Sequence, residues 1–105
     1  MLSYEELNKT QQGLYDKLRD EIKKGKDGNI TPVLEEIKTE GVLKEVLTTA
    51  NIKIDLSNGE NHTLTPLAYA IGFSNQEVIK TILDIIKDKG ILEEVLTTVK
   101  LYLLS

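Results

Sequence analysis

The chain has 105 residues, 40% of them hydrophobic and 29% charged, which suits one soluble domain that buries about two-thirds of its unfolded surface and excludes a disordered or membrane-spanning chain. Its 17 acidic and 13 basic residues leave a net charge of −4, which argues against nucleic-acid and anionic-membrane partners, because both require a concentrated basic face. The absence of cysteine excludes disulfides, a thiolate nucleophile and cysteine-type zinc sites.

Met1 to Glu6 has neither the basic segment nor the apolar run of a signal peptide, so a cytoplasmic location is expected. Ser3 followed by Glu6 fits a capping box, which predicts that a long helix begins there. Tyr4, Leu7, Leu14, Leu18 and Ile22 lie on one stripe at three- and four-residue steps, giving that helix a single buried seam. Gln11 and Gly13 weaken its middle. Its end is expected near Gly25, with Asp27-Gly28-Asn29 as a turn, since these residues tolerate positive φ. Thr31-Pro32 marks the next helix start; Val33, Leu34 and Ile37 form its apolar face, and Gly41 is placed to end it in the left-handed conformation. Val42, Leu43, Val46, Leu47 and Ala50 form another short face. From Asn51 to Leu64 the period changes: Ile52 and Ile54 alternate with polar residues and Asn58-Gly59 is a tight-turn signal, so a protruding hairpin is expected. Two short helices follow, one over 65–71 and one from Asn75 through Leu83 and onward. In the second, Val78, Ile79, Ile82, Leu83, Ile85 and Ile86 make an arc wide enough to be covered on two sides. Gly90 is expected to end it, and Ile91 to Val99 to form a last helix.

The run Thr65, Pro66, Leu67, Ala70, Glu77, Val78, Ile79, Lys80, Ile82 and Leu83 resembles the ankyrin repeat, in the family's order and without a gap. The chain also repeats internally. Shifting it by 49 residues, so that Gly41 falls on Gly90, lays Val33–Thr49 on Ile82–Thr98 with ten of seventeen positions identical, a fixed period that changes the expected fold. The identities include the glycine, Lys38/Lys87 and both threonine pairs, which a shared helical pattern alone does not reproduce. Carried backward, the shift puts Leu18 on Leu67 and Ile22 on Ile71, so the first helix reads as an N-terminal cap. Carried forward, it puts Leu101 on Ile52 and Leu103 on Ile54, so residues 100–105 read either as the start of a further hairpin in a longer repeat protein or as a tail packed on the last helix. The period of 49 exceeds the roughly 33 of an ordinary ankyrin repeat. Ala68 stands where the family has histidine, and Ser74 where it has the turn glycine. Long, divergent repeats of this kind resemble those of intracellular bacteria that export ankyrin proteins into host cells, and the resemblance therefore allows export as well.

The fold expected is an all-α, ankyrin-like helical solenoid fragment in one domain over 1–105. It comprises a capping helix with a partial repeat over 1–50, a repeat unit with one protruding hairpin over 51–99, and the tail.

Chemistry has little to build on. His62 is the one histidine, and no carboxylates at ligand spacing stand near it to complete a metal site; it reads as a hairpin-tip residue. Glu35-Glu36 and Glu93-Glu94 are adjacent on helices and cannot face each other as an acid–base pair. Lys23-Lys24-Gly25-Lys26 is interrupted by acids and suits a helix C-terminus. No glycine-rich phosphate loop, nucleophile elbow or zinc-helix motif occurs, so a protein without enzymatic activity, cofactor or metal is expected.

The resemblance implies that another protein is gripped by the hairpin tip and the exposed end of the helix after it, at Asn58, Gly59, Glu60, Asn61, His62, Leu64, Gly72 and Phe73. Leu64 and Phe73 are the candidate apolar anchors. Phe73 either fills the core, in which case Phe73→Ala costs about 3–5 kcal/mol, or is an exposed contact, in which case it costs within about 0.5 kcal/mol. An alternative role is as a structural cap or self-association domain of a longer repeat protein, through Leu101, Tyr102, Leu103 and Leu104, because an unpaired solenoid end exposes apolar surface.

Overall fold

The computed structural model describes residues 3–55, 57–73 and 75–103, with side chains described up to Val99. Among the described residues, six α-helices and one two-stranded sheet form the framework: α1 (Lys9–Lys23), α2 (Thr31–Thr39), α3 (Leu43–Leu47), β1 (Ile52–Asp55), β2 (Asn61–Leu64), α4 (Pro66–Gly72), α5 (Gln76–Ile85) and α6 (Lys89–Leu103). The protein is mainly helical.

The first helix starts later than the capping box at Ser3 implies. Tyr4–Glu6 form only a short 3₁₀ turn, and α1 begins after Asn8, whose side chain accepts from the Gln11 N–H at 2.8 Å while Gln11 Oε1 accepts from the Asn8 N–H at 3.0 Å. Two capping boxes compete within six residues. The second prevails because Gln12 Nε2 donates to the carbonyls of Tyr4 and Leu7, both at 3.1 Å, tying the turn back onto α1. The predicted stripe is otherwise buried, at Leu7, Leu14, Leu18 and Ile22.

The turn after α1 uses its glycines differently from the expectation. Positive φ falls at Gly25 (+66°), whereas Gly28 is extended at φ −82°. Gly28 is required for another reason: a Cβ there would collide with the Glu21 carbonyl oxygen. At the end of α2, Gly41 has φ +73°. Its N–H reaches the Lys38 carbonyl at 2.9 Å and the Val42 N–H reaches the Ile37 carbonyl at 3.2 Å, the double bond of a Schellman ending.

Gly90 does not repeat this role. Asp88 Oδ1 accepts from the N–H groups of Gly90 (2.8 Å) and Ile91 (3.2 Å), so α6 starts at Lys89 and α5 has already ended at Ile85. The equivalent of Asp88 in the first copy is Thr39, whose hydroxyl bonds back to the Glu35 carbonyl at 2.8 Å and stays helical. One substitution, from a back-bonding threonine to a capping aspartate, thus moves the helix boundary. Of the two readings of the tail, the further hairpin does not begin at residues 100–103, which continue α6 as helix.

The helices fall into two sets of three. Within the first set α1 packs on α2 and α3; within the second α4 packs on α5 and α6. Between the sets, each helix lies on its counterpart: α1 on α4, α2 on α5 and α3 on α6. Their shared core contains Tyr15, Leu18, Leu34, Ile37, Val46, Leu47, Leu67, Ile82 and Val95, each fully or almost fully buried. The threonine repeated at 49 and 98 makes the same bond in both sets, donating from Oγ1 to the Glu45 carbonyl at 2.6 Å and to the Glu94 carbonyl at 2.8 Å.

The expected two-sided cover of α5 is incomplete: Val78, Ile82, Ile85 and Ile86 are buried, but Leu83 is 37% exposed.

Candidate partner-binding surface

The hairpin joins the two helical sets and is anchored at its base from below. Ile52 is fully buried, and the wholly buried Tyr15 donates its hydroxyl to the Thr49 carbonyl at 2.7 Å and accepts the Asn51 N–H at 2.9 Å. Strand pairing is antiparallel, with Ile52 opposite Leu64, Lys53 opposite Thr63, Ile54 opposite His62 and Asp55 opposite Asn61. Gly59 takes φ +85° at the tip, and the Glu60 N–H is held by Asn58 Oδ1 at 3.0 Å. Asn58, Gly59, Glu60, Asn61 and His62 all face solvent. The imidazole Nε2 of His62 lies 3.5 Å from Glu60 Oε2, an exposed pair of little energetic weight. Leu64 is different: it is partly buried and packs against the core, so it fastens the hairpin to the helices rather than presenting an anchor.

Gly72 and Phe73 lie elsewhere. Thr65 caps α4, accepting the Ala68 N–H at 3.2 Å, and the seven residues of α4 separate β2 from Phe73, about 10 Å of helix. Ala68 is buried at that helix start; Ser74 lies outside the described residues. The two expected places, the hairpin and the helix end, are therefore two patches separated by the length of α4.

Phe73 is 60% exposed, which settles its alternatives in favour of the surface. Its ring stacks on Tyr69 with centroids 4.4 Å apart and planes inclined by 29°. A cleft of about 140 Å³ opens beside it, lined by Ile22, Lys23, Gly25, Tyr69, Ala70, Phe73 and Asn75, similar in size to cavities that admit a benzene ring. Tyr69 and α1's last turn were not among the sequence candidates. The four-residue step from Tyr69 to Phe73 on one helix was the available signal.

The wall that α1 contributes is held by charge. Glu21 Oε1 accepts the Asn29 N–H at 3.0 Å and its other oxygen pairs with Lys24. The Asn29 bond first, and Lys24 second, hold the Glu21 carboxyl below the usual range, and Lys24 is correspondingly raised. Together they fix the 24–29 turn beside the cleft. At the other end of α1, burial and then the hydroxyl bond to Asp16 at 2.8 Å push the Tyr4 phenol up.

Among the described residues, no group of three or more acidic or histidine side chains is disposed to hold a metal ion, and no helix is long and apolar enough to cross a membrane. The assembly surface expected at Leu101, Tyr102, Leu103 and Leu104 lies outside the described side chains. No protein-family model matches the chain, and neither a curated protein nor a solved structure matches it.

Proposed function

We propose that this chain is a noncatalytic protein-interaction module of the ankyrin-repeat type, a short helical solenoid that grips a partner protein at Phe73 and at the hairpin tip. The observation that carries the reading is Phe73 itself. A large aromatic ring, 60% exposed and stacked on Tyr69 beside a cleft, is the form that an energetic anchor takes before its partner arrives. The solenoid part draws support from the stacking of α1, α2 and α3 on α4, α5 and α6, because each repeat in such a protein meets its neighbours through equivalent elements. The hairpin adds hydrogen-bonding groups at Asn58, Asn61 and His62 around a rigid turn, a second patch whose distance from Phe73 would select partners by shape. The module works without a cofactor, in the cytoplasm or, if exported, in a host cell.

A photo-crosslinking phenylalanine analogue placed at position 73 tests this in cells that make the protein. The reading expects a discrete crosslinked protein adduct that a second analogue placed at exposed Glu40, just after α2, does not form. Identical adducts from both positions, or none from position 73, would refute it.

A further inference from the structure

Asn58 is the one asparagine of the chain that a glycine follows; the other five precede Lys9, Ile30, Ile52, His62 and Gln76. Those five are also tied into the framework. Asn8 and Asn75 cap α1 and α5, Asn61 pairs with Asp55 in the hairpin, and the N–H groups of Asn29 and Asn51 are held by Glu21 and Tyr15. Asn58 stands instead at the exposed tip of the hairpin. Gly59 is exposed beside it, with nothing within 4 Å of where a Cβ of that residue would stand.

The Gly59 nitrogen reaches the side-chain carbon Cγ of Asn58 by closing a ring through Cβ, Cα and C. A side chain on the following residue crowds that closure, and glycine has none. The turn adds a second element. Asn58 Oδ1 accepts the Glu60 N–H at 3.0 Å, a bond that folds the side chain back over the turn in a loop that includes the Gly59 nitrogen. The same bond sets a donor on the oxygen that takes up negative charge when Cγ is attacked, where stabilisation lowers a barrier most directly. Orientation and polarisation thus act on one carbon.

We infer that Asn58 is a site of self-modification, at which the hairpin tip converts its own amide into a carboxylate. The Gly59 nitrogen gives up its proton to solvent and attacks Cγ. The new N–Cγ bond forms, the Cγ–Nδ2 bond breaks, and the amide nitrogen leaves as ammonia with a proton from water. Water then opens the resulting succinimide. Addition at Cγ gives aspartate; addition at the main-chain carbonyl carbon gives isoaspartate, whose backbone runs through Cβ and Cγ and is one atom longer. Water is the only reagent consumed, and nothing is oxidised or reduced.

Either product replaces a group that donates and accepts hydrogen bonds with one that only accepts, beside the exposed Glu60. Isoaspartate also lengthens the tip beyond Asp55 and Asn61, the last pair of the hairpin. The base is held separately, by buried Ile52 and by Tyr15, so the change stays at the tip. The site stands on this chemistry alone. Only its consequence, a hairpin patch that loses Asn58 as a donor with age, rests on the proposed partner-binding function.

Ageing the full chain at physiological pH and temperature, followed by peptide mapping in a mass spectrometer, tests it. A free peptide spanning Ser57–Asn61, aged alongside, sets the rate of the same sequence without the fold. The mass gained when NH is exchanged for O should accumulate at Asn58 roughly ten times faster than at any other asparagine, a barrier lower by about 1.4 kcal/mol. It should accumulate faster as pH rises, because the attacking nitrogen must first lose its proton. An isoaspartate methyltransferase should label the aged parent and leave aged Asn58→Gln, which should melt like the parent, unlabelled. A chain that gains no mass at Asn58 while the peptide is largely converted overturns the inference, since the fold then blocks the reaction. So does a gain spread evenly over the asparagines.

Discussion

Tyr15→Phe isolates the link between the helices and the hairpin. The ring stays, so its packing in the core and its edge contact with Tyr4, at 5.7 Å between centroids, are retained. What goes is one oxygen that accepts the Asn51 N–H and donates to the Thr49 carbonyl. Both backbone groups then lack a partner in a region where Tyr15 and Thr49 are fully buried. Leaving such groups unsatisfied costs about 1–3 kcal/mol. At about 4–8 °C per kcal/mol for a domain near this size, melting followed by circular dichroism should fall by roughly 5–20 °C. Amide hydrogen exchange gives a local reading as well: the Asn51 N–H should lose protection, and the β1–β2 amides with it, before the α4–α5 amides do. Tyr4→Phe is the control, since its hydroxyl bonds the half-exposed Asp16, and should cost within about 0.5 kcal/mol. If Tyr15→Phe melts within about 2 °C of the parent and Asn51 remains protected, the hydroxyl does not hold the hairpin base and the reasoning fails.

Four further outcomes follow. Gly13 sits inside α1 with open space where a Cβ would go, so Gly13→Ala should stabilise by about 0.5–1 kcal/mol in chemical denaturation. Gly28→Ala should instead destabilise by more than about 1 kcal/mol, because its Cβ would collide with the Glu21 carbonyl; a neutral result would mean that the 24–29 turn is looser than described. Leu34→Ala should cost about 2–5 kcal/mol, whereas Leu83→Ala, at a 37% exposed position, should cost far less. Glu21 is held ionised below its usual range by the Asn29 N–H and Lys24. Its contribution is therefore present above the ordinary carboxylate pKa and lost as pH falls through the lowered folded value, and the melting difference between the parent and Glu21→Gln should close on acidification below pH about 4.

Most of the helices were legible because their apolar steps and their start signals agree. Thr65-Pro66 reads correctly because nothing nearby competes with it, and the Asn58-Gly59 turn reads correctly because only a few backbone geometries fit it. The errors arose where two local signals compete. Ser3/Glu6 and Asn8/Gln11 are both capping pairs, and the side chain of Gln12, bonding to two carbonyls at once, decides between them. Gly41 and Gly90 are identical in the repeat but differ in role because Asp88 caps where Thr39 does not. The site was harder to read. Leu64 and Phe73 are both apolar residues beside turns, and only the tertiary packing assigns one to the core and one to the surface. The cleft beside Phe73 was illegible for the same reason: its second wall comes from α1, some fifty residues earlier in the chain.

The proposed function makes Phe73 an exposed aromatic anchor that binds a protein. It is tested most directly by affinity capture from the cells that make the chain, comparing the parent with Phe73→Glu after both are shown to melt alike. At least one protein should be retained by the parent and lost from the variant. The same proteins retained in the same amounts by both would contradict it.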